Sequence, residues 1–480
     1  MTDGRNTDLA ELDLATAAEG VRSGKWSSRE LVEASLRRIE RWNPQVNAYV
    51  SVEAEDCLAA ADLADAAVAR GDSLGPLHGV PLAHKDLFDR PGKKASCGSQ
   101  VRREIEGRTT STVIQRLADA GGLYLGGLNM SELAVGPTGH NLHYGHCRNP
   151  WNTERFTGGS SSGTGAAVAA RLTFGGLGTD TGGSVRLPSA FCGIVGLKPT
   201  QGRISRHGVM GLSYSLDNVG PMGRTVRDVA RMTDVVAGHD PRDVTSARLP
   251  APACEAATAR GVKGLRIGIV EDGLYLQNLS DEAAGLIDAA KAVLTGAGAQ
   301  LVPVTLPHQE LLANLSNILL GAEACMYNRS ALTGRPLDIQ PQVRARLMAG
   351  FGYPALAYTR ALQLRGPILR DVVAAGFAKA DVLLLPIINT TAQGIAETDV
   401  GGAPGMAEFI AQVSNCSRPL NYLGLPGLVT PCGFGADGMP LAFQLVGRPF
   451  DEETLFQAAA AYEAETRWCD RSPPEPKAAA

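Results

Sequence analysis

Thr157-Gly-Gly-Ser160-Ser161-Ser162-Gly-Thr-Gly165, followed across an alanine-rich helix by Gly178-Thr179-Asp180-Thr181-Gly182-Gly183-Ser184-Val185-Arg186, is the stretch on which the reading of this chain turns. Nine of the 28 residues from 157 to 184 are glycine, so backbone N–H groups can converge on one point and the chain can take positive φ. Both features suit a cradle for an anion, permanent or transient. A phosphate loop would be the permanent case, but Gly-x-x-x-x-Gly-Lys-Ser/Thr is absent and no lysine lies between 94 and 198. A nucleophile elbow fits the letters of Gly159-Ser-Ser161-Ser-Gly163, yet its triad ends in a late histidine. The histidines downstream, His207, His239 and His308, sit in no suggestive context. What remains is a transient oxyanion with serine chemistry that does not use histidine.

Such chemistry needs a base. Only nine of the 45 basic residues are lysine, and one of them, Lys85, closes the apolar run Val80-Pro-Leu-Ala-His-Lys85. Burial disfavours the charged form of lysine, so a lysine in that place can be neutral near pH 7.

The 480 residues are 44% apolar and 20% charged with a formal net charge of −4, which excludes disorder and collagen-like order. Length alone suggests about three domains, but the glycines and prolines are scattered rather than gathered into linkers. One large domain is expected, with residues 1–75 as an N-terminal helical layer, 76–480 as the main α/β part, and a surface excursion near 238–263. There is no basic excess or basic run for direct contact with nucleic acid. The nine cysteines are far apart with no Cys-x-x-Cys pair, which suggests neither a disulfide framework nor a thiolate zinc site. No basic-then-apolar leader opens the chain and no run of 18 apolar residues follows, so the expectation is a cytoplasmic protein without a membrane span.

Periodicity predicts helices at 8–23, 28–42, 53–70, 109–121, 161–171, 225–237, 280–298, 309–330, 354–376 and 451–466. Ser27 with Glu30 is a capping box, and Asn43-Pro44 marks the end of the second helix. Strands are expected at 79–83, 123–127, 174–178, 265–270, 300–305, 381–386 and 440–446. This alternation argues a large mixed, mainly parallel twisted sheet sandwiched between helical layers.

Three stretches in order, Pro81-Leu-Ala-His-Lys85-Asp86, Gly158-Gly-Ser160-Ser-Ser-Gly163 and Gly178-Thr-Asp-Thr-Gly-Gly-Ser184-Val-Arg186, resemble the amidase signature family. The similarity continues through Phe191–Thr200 and Gly202–Ser205, and returns at 421–426 and 441–447. The resemblance implies that family's fold and a serine–cis-serine–lysine triad on Ser184 as nucleophile, Ser160 as bridging serine and Lys85 as base. It implies an oxyanion hole of the backbone N–H groups of Thr181, Gly182, Gly183 and Ser184, and a pocket drawing on Met130, Gly158, Gly159 and Ile388. It implies no metal and no organic cofactor.

Blander readings apply elsewhere. His140, His143, His146 and Cys147 spell a metal-like run, but the surrounding glycines and Pro137 argue a loop at the substrate mouth. Ser161 and Ser162 are expected to cap the next helix, Asp180 and Arg186 to brace the loop as an ion pair, Lys198 to be a structural donor and Glu132 a loop support. The leucine run from Leu311 to Leu320 reads as core. Leu385-Pro386-Ile387-Ile388 departs from the Pro-Thr-x-Pro of many relatives, which leaves the substrate open. The leading function is a free-standing amidase of small or aryl carboxamides, with esters or carbamates as further substrates; the alternative is the glutaminase subunit of a tRNA-dependent amidotransferase. The expected partner is a small amide-type molecule, with a homodimer left open.

Overall fold

The computed structural model of the chain describes residues 8–476 apart from 272, 400, 402 and 404. The first seven residues, on which the expectations about a leader and the 1–75 layer partly rest, lie outside the described residues. Strands β1 (Tyr49–Val52), β2 (Pro81–Lys85) and β3 (Leu123–Leu128) form a small sheet in the order β1-β3-β2, and β4 (Arg148–Asn149) pairs with β5 (Asn152–Phe156). The large sheet has eight strands: β6 (Gly175–Asp180), β7 (Val195–Lys198), β8 (Asn218–Gly223), β9 (Arg266–Val270), β10 (Gln300–Val304), β11 (Val382–Pro386), β12 (Gly427–Phe434) and β13 (Pro440–Val446). Their order is β10-β9-β11-β13-β12-β7-β8-β6.

The expected large mixed sheet between helices is present, with its parallel pairs confined to β10-β9-β11, while the small sheet has a parallel pair at β2-β3. From β11 to β6 every neighbour is antiparallel, so "mainly parallel" describes only part of it. The reason lies in β7, β8 and β12, which supply most of those antiparallel pairs. Their sequences, Val-Gly-Leu-Lys, Asn-Val-Gly-Pro-Met-Gly and Gly-Leu-Val-Thr-Pro-Cys-Gly-Phe, carry the glycines and prolines that normally count against a strand.

Local chemistry sets most of the remaining elements. In the helix Ser28–Val46 the Ser27 hydroxyl accepts from the Glu30 N–H at 3.1 Å, and the Ser27 N–H donates to the Glu30 carboxylate at 2.7 Å. That helix runs beyond Asn43-Pro44, because a proline in the last turn removes only one bond and Asn47, with φ 50°, closes onto Asn43 O at 2.8 Å. Leu14, Ala17, Val21 and Leu31 of the N-terminal helices share one apolar cluster with Leu82, Phe174, Leu177 and Met232. The segment 238–263 is irregular except for a short helix Cys254–Ala257.

One close approach positions the site. Strand β2 lies against β6 so tightly that a Cβ on Gly176 would collide with Ala83 O. This sets Lys85, the last residue of β2, beside Thr179, near the end of β6. Chemistry at the carboxyl ends of strands in an open α/β sheet is the usual arrangement.

Candidate active site

The Lys85 ammonium nitrogen lies 2.7 Å from Ser160 Oγ and 2.9 Å from Thr179 Oγ1. Lys85 is 1% exposed, and burial pushes it down to about 7 from its ordinary value, against the opposing pull of Asp180 and Asp217. Ser160 is fully buried and follows a cis Gly159–Ser160 peptide. A Cβ on Gly159 would sit 2.6 Å from Gly136 O and 2.7 Å from Ser131 Oγ, so only glycine fits where this turn meets the 131–139 loop. The Ser161 N–H donates to Ser184 O at 3.2 Å, which holds the two glycine-rich loops side by side.

Ser184 is half-buried and faces a cavity of about 320 Å³, at the small end of the range for small-molecule sites. Gly159, Thr181 and Gly182 share that end of it; Gly136 and Pro137 form one wall, and Leu187, Leu212, Leu320, Leu347 and Ile410 make much of the rest apolar. Arg346 and Arg418 also line it, and the described lining contains no acidic residue.

Asp180 turns back on its own loop. Its Oδ1 accepts the Gly183 N–H at 2.8 Å, and its Oδ2 accepts the Val185 N–H at 3.2 Å and the Arg186 Nε–H at 3.0 Å. The oxyanion expectation is corrected by this: the Gly183 N–H, at φ 123°, is already committed to a carboxylate. Those of Thr181, Gly182 and Ser184 have no acceptor among the described residues. The Asp180–Arg186 pair is wholly buried, and the Arg186 guanidinium, despite the cost of burying the carboxylate, holds Asp180 well below the usual carboxylate range. Asn421 donates to Asp180 O and Oδ1 at 2.9 Å each and accepts from Arg186, which also reaches Gln444 Oε1 at 3.1 Å. The two late stretches of family resemblance thus grip this loop, a role that no local pattern announces.

The other expectations divide. Lys198 is buried and donates to Pro199 O at 2.7 Å, as a structural donor would. Glu132 accepts from Ser99 Oγ at 2.6 Å and the Gln340 N–H at 2.8 Å, joining two loops. Met130, Gly158 and Ile388 lie outside the cavity lining. Met130 and Ile388 are in apolar clusters, and Gly158, at φ 76°, is packed against Leu187 and Phe191. The 138–147 segment is a loop, but its histidines are not among the cavity lining: His140 bonds Thr138 Oγ1 and Ile395 O, His143 Nε2 lies 2.9 Å from Glu132 Oε1, and His146 accepts the Asn141 N–H. Ser161 sits at the N-cap of the helix Ser162–Ala169, yet its hydroxyl bonds the backbone of Thr179 at 3.3 Å and gives no cap. The leucine run splits, with Leu312, Leu315 and Leu319 in the core and Leu320 on the cavity.

Comparison with known proteins bears on the whole arrangement. Residues 30–456 match the family model described as Amidase. A protein named as a subunit of glutamyl-tRNA(Gln) amidotransferase, from Roseiflexus sp. (strain RS-1), is 40% identical, over 98% of this chain and 99% of its own. Among solved structures, one of an unexpected vestigial protein complex that reveals the evolutionary origins of an s-triazine catabolic enzyme superposes with TM-score 0.89 at 33% identity, covering 95% of this chain and 99% of the other. Native peptide amidase from Stenotrophomonas maltophilia superposes with TM-score 0.85 at 30% identity, over 97% and 99%. The family match starts in the second helix, ends in the last and takes in both glycine-rich loops and the buried lysine, so the chain belongs to the amidase family of C–N amide hydrolases.

Proposed function

We propose that this chain hydrolyses a small carboxamide through an acyl-enzyme on Ser184, with Ser160 relaying the proton and Lys85 as the base. The carrying observation is the 2.7 Å contact between Lys85 and the fully buried Ser160, beside the cavity that Ser184 faces. With its value near 7, Lys85 is substantially neutral at physiological pH and takes the Ser160 proton as Ser160 takes that of Ser184. Ser184 Oγ attacks the carbonyl carbon, and the oxygen that gains the negative charge is met by the N–H groups of Thr181, Gly182 and Ser184. Collapse breaks the C–N bond while Ser160 returns the proton to the leaving nitrogen, regenerating neutral Lys85. Water repeats the sequence on the acyl-enzyme: it gives up a proton to Ser160, breaks the ester and leaves a carboxylic acid. Esters and carbamates fit the same steps. A cytoplasmic location belongs to this reading and is supported by nine unpaired cysteines and by the lack of a described helix long and apolar enough to cross a membrane.

A second reading, the glutaminase subunit of a tRNA-dependent amidotransferase, is favoured by the name and near-full-length match of the curated relative. Turnover of glutamine only in the presence of partner subunits would favour it; turnover of other carboxamides by the chain alone would favour the first.

Fluorophosphonate labelling tests the nucleophile. The adduct is expected on Ser184, absent in Ser184→Ala and strongly slowed in Lys85→Ala, with a rate that rises with pH through about 7. An adduct on Ser161 would overturn the assignment and restore the elbow reading.

A further inference from the structure

The charges lining the cavity do not balance. Arg418, 6% exposed, has one described side-chain acceptor, the neutral Asn317 Oδ1 at 2.8 Å. Arg346 has a buried Nη1 with no hydrogen-bond partner among the described residues. Neither guanidinium lies within 4 Å of a described carboxylate. Two other arginines at least as buried as Arg418 are paired, Arg186 with Asp180 and Arg203 with Glu452, both at 3.0 Å. Even in the adjoining cavity of about 250 Å³, beyond Thr181, the lining arginines Arg206 and Arg242 reach Asp243 and Asp240 at 4.0 and 3.3 Å.

We propose that Arg346 and Arg418 form an anion subsite within the cavity that Ser184 faces, so that the substrate is an amide bearing a carboxylate or similar planar oxyanion and no ammonium group. A buried Arg418 beside a half-buried Arg346 whose Nη1 is enclosed, like charges without a counter-charge, is a costly arrangement unless the ligand brings one, and the flat guanidinium fork suits a carboxylate. Burial and the repulsion of Arg346 push Arg418 down to about 9, and burial pushes Arg346 down to about 10. A Cβ on Gly182 would lie 3.4 Å from Arg418 Cγ and 3.9 Å from its Nε, which places this guanidinium beside the oxyanion loop and the anionic group close to the scissile carbonyl. A zwitterionic amino-acid amide would find no acid in the described lining for its ammonium.

The inference rests on the Ser184 reading, and the two fail separately. Glutaramate, pentanamide and glutamine form a matched set: the second replaces the carboxylate by methyl, and the third adds an ammonium. Wild type is expected to favour glutaramate in kcat/KM by about 100-fold over pentanamide and about tenfold over glutamine. The glutaramate-to-pentanamide ratio is expected to fall at least about tenfold in Arg346→Gln or Arg418→Gln. Glutarate, but not the uncharged pentanediamide, should protect wild-type Ser184 from fluorophosphonate, a result that needs no variant to fold. Calorimetric titration of wild type with glutarate reads the subsite without chemistry. Binding without labelling would sink the nucleophile and keep the subsite. Labelling with no preference for the anion, or with glutamine the best of the three, would overturn the subsite alone.

Discussion

Lys85 and Lys198 are near twins. Each is the last residue of a strand, β2 and β7, each is no more than 1% exposed, and burial pushes each down to about 7. Both feel Asp180, whose charge opposes the loss of their protons. They differ in what the nitrogen meets. Lys85 reaches two hydroxyls, one of them the Ser160 proposed as proton relay, while Lys198 donates to the carbonyl of Pro199, which can pass on no proton. Depressed basicity is therefore not the mark of a catalytic lysine; a transferable proton within hydrogen-bond reach is.

The sharpest way to break the comparison is to remove each nitrogen in turn. Lys85→Ala is expected to lower kcat/KM by about 10³-fold or more, as loss of a general base within a cooperating set does. Lys198→Met is expected to stay within about tenfold, because it deletes one bond to a carbonyl. Steady-state kinetics on any accepted amide decides it, and equal losses would put Lys198 in the proton path.

Asp180 links the two lysines and gives the next largest effect. Asp180→Asn leaves Arg186 a buried cation without its counter-charge, which costs about 3–5 kcal/mol of stability, measured by urea unfolding. It also removes a charge that favours protonated Lys85, so the ascending limb of kcat/KM should move to lower pH. An unmoved limb, with the variant folded, would mean that the limb belongs to another group.

Legibility in the sequence followed the same division between local and distant causes. The glycine loops, the capping box at Ser27 and Glu30, and Lys85 could be read because each is a pattern within a few residues. β7, β8 and β12 were missed because pairing, not composition, makes them strands. Arg346 and Arg418 were missed for a related reason. They open onto one cavity from helices Pro341–Met348 and Arg418–Leu423, and in a chain with 36 arginines nothing local separates them from the paired ones. The N–H groups proposed for the oxyanion could be read as a set, yet Asp180 takes Gly183 from it by a bond that depends on the loop's actual turn.

The last test addresses the lowered basicity that the two lysines share. A lysine neutral above about 7 when folded and protonated up to about 10.5 when unfolded means that the unfolded chain binds the extra proton in that window. Stability therefore rises with pH between those values, by about 1.4 kcal/mol per unit for each such lysine. Below the folded value the penalty of burying the charge is carried in full. Buried thiols such as Cys97 and Cys147, pushed up to about 12, act in the opposite sense above about 9, so the useful quantity is the difference between two proteins that share them. Wild-type stability minus that of Lys198→Met should climb from about pH 7 towards 10, with the methionine variant at its greatest relative advantage below 7. A flat difference would show that Lys198 keeps its proton in the folded state, and the likeness to Lys85 would then end at burial.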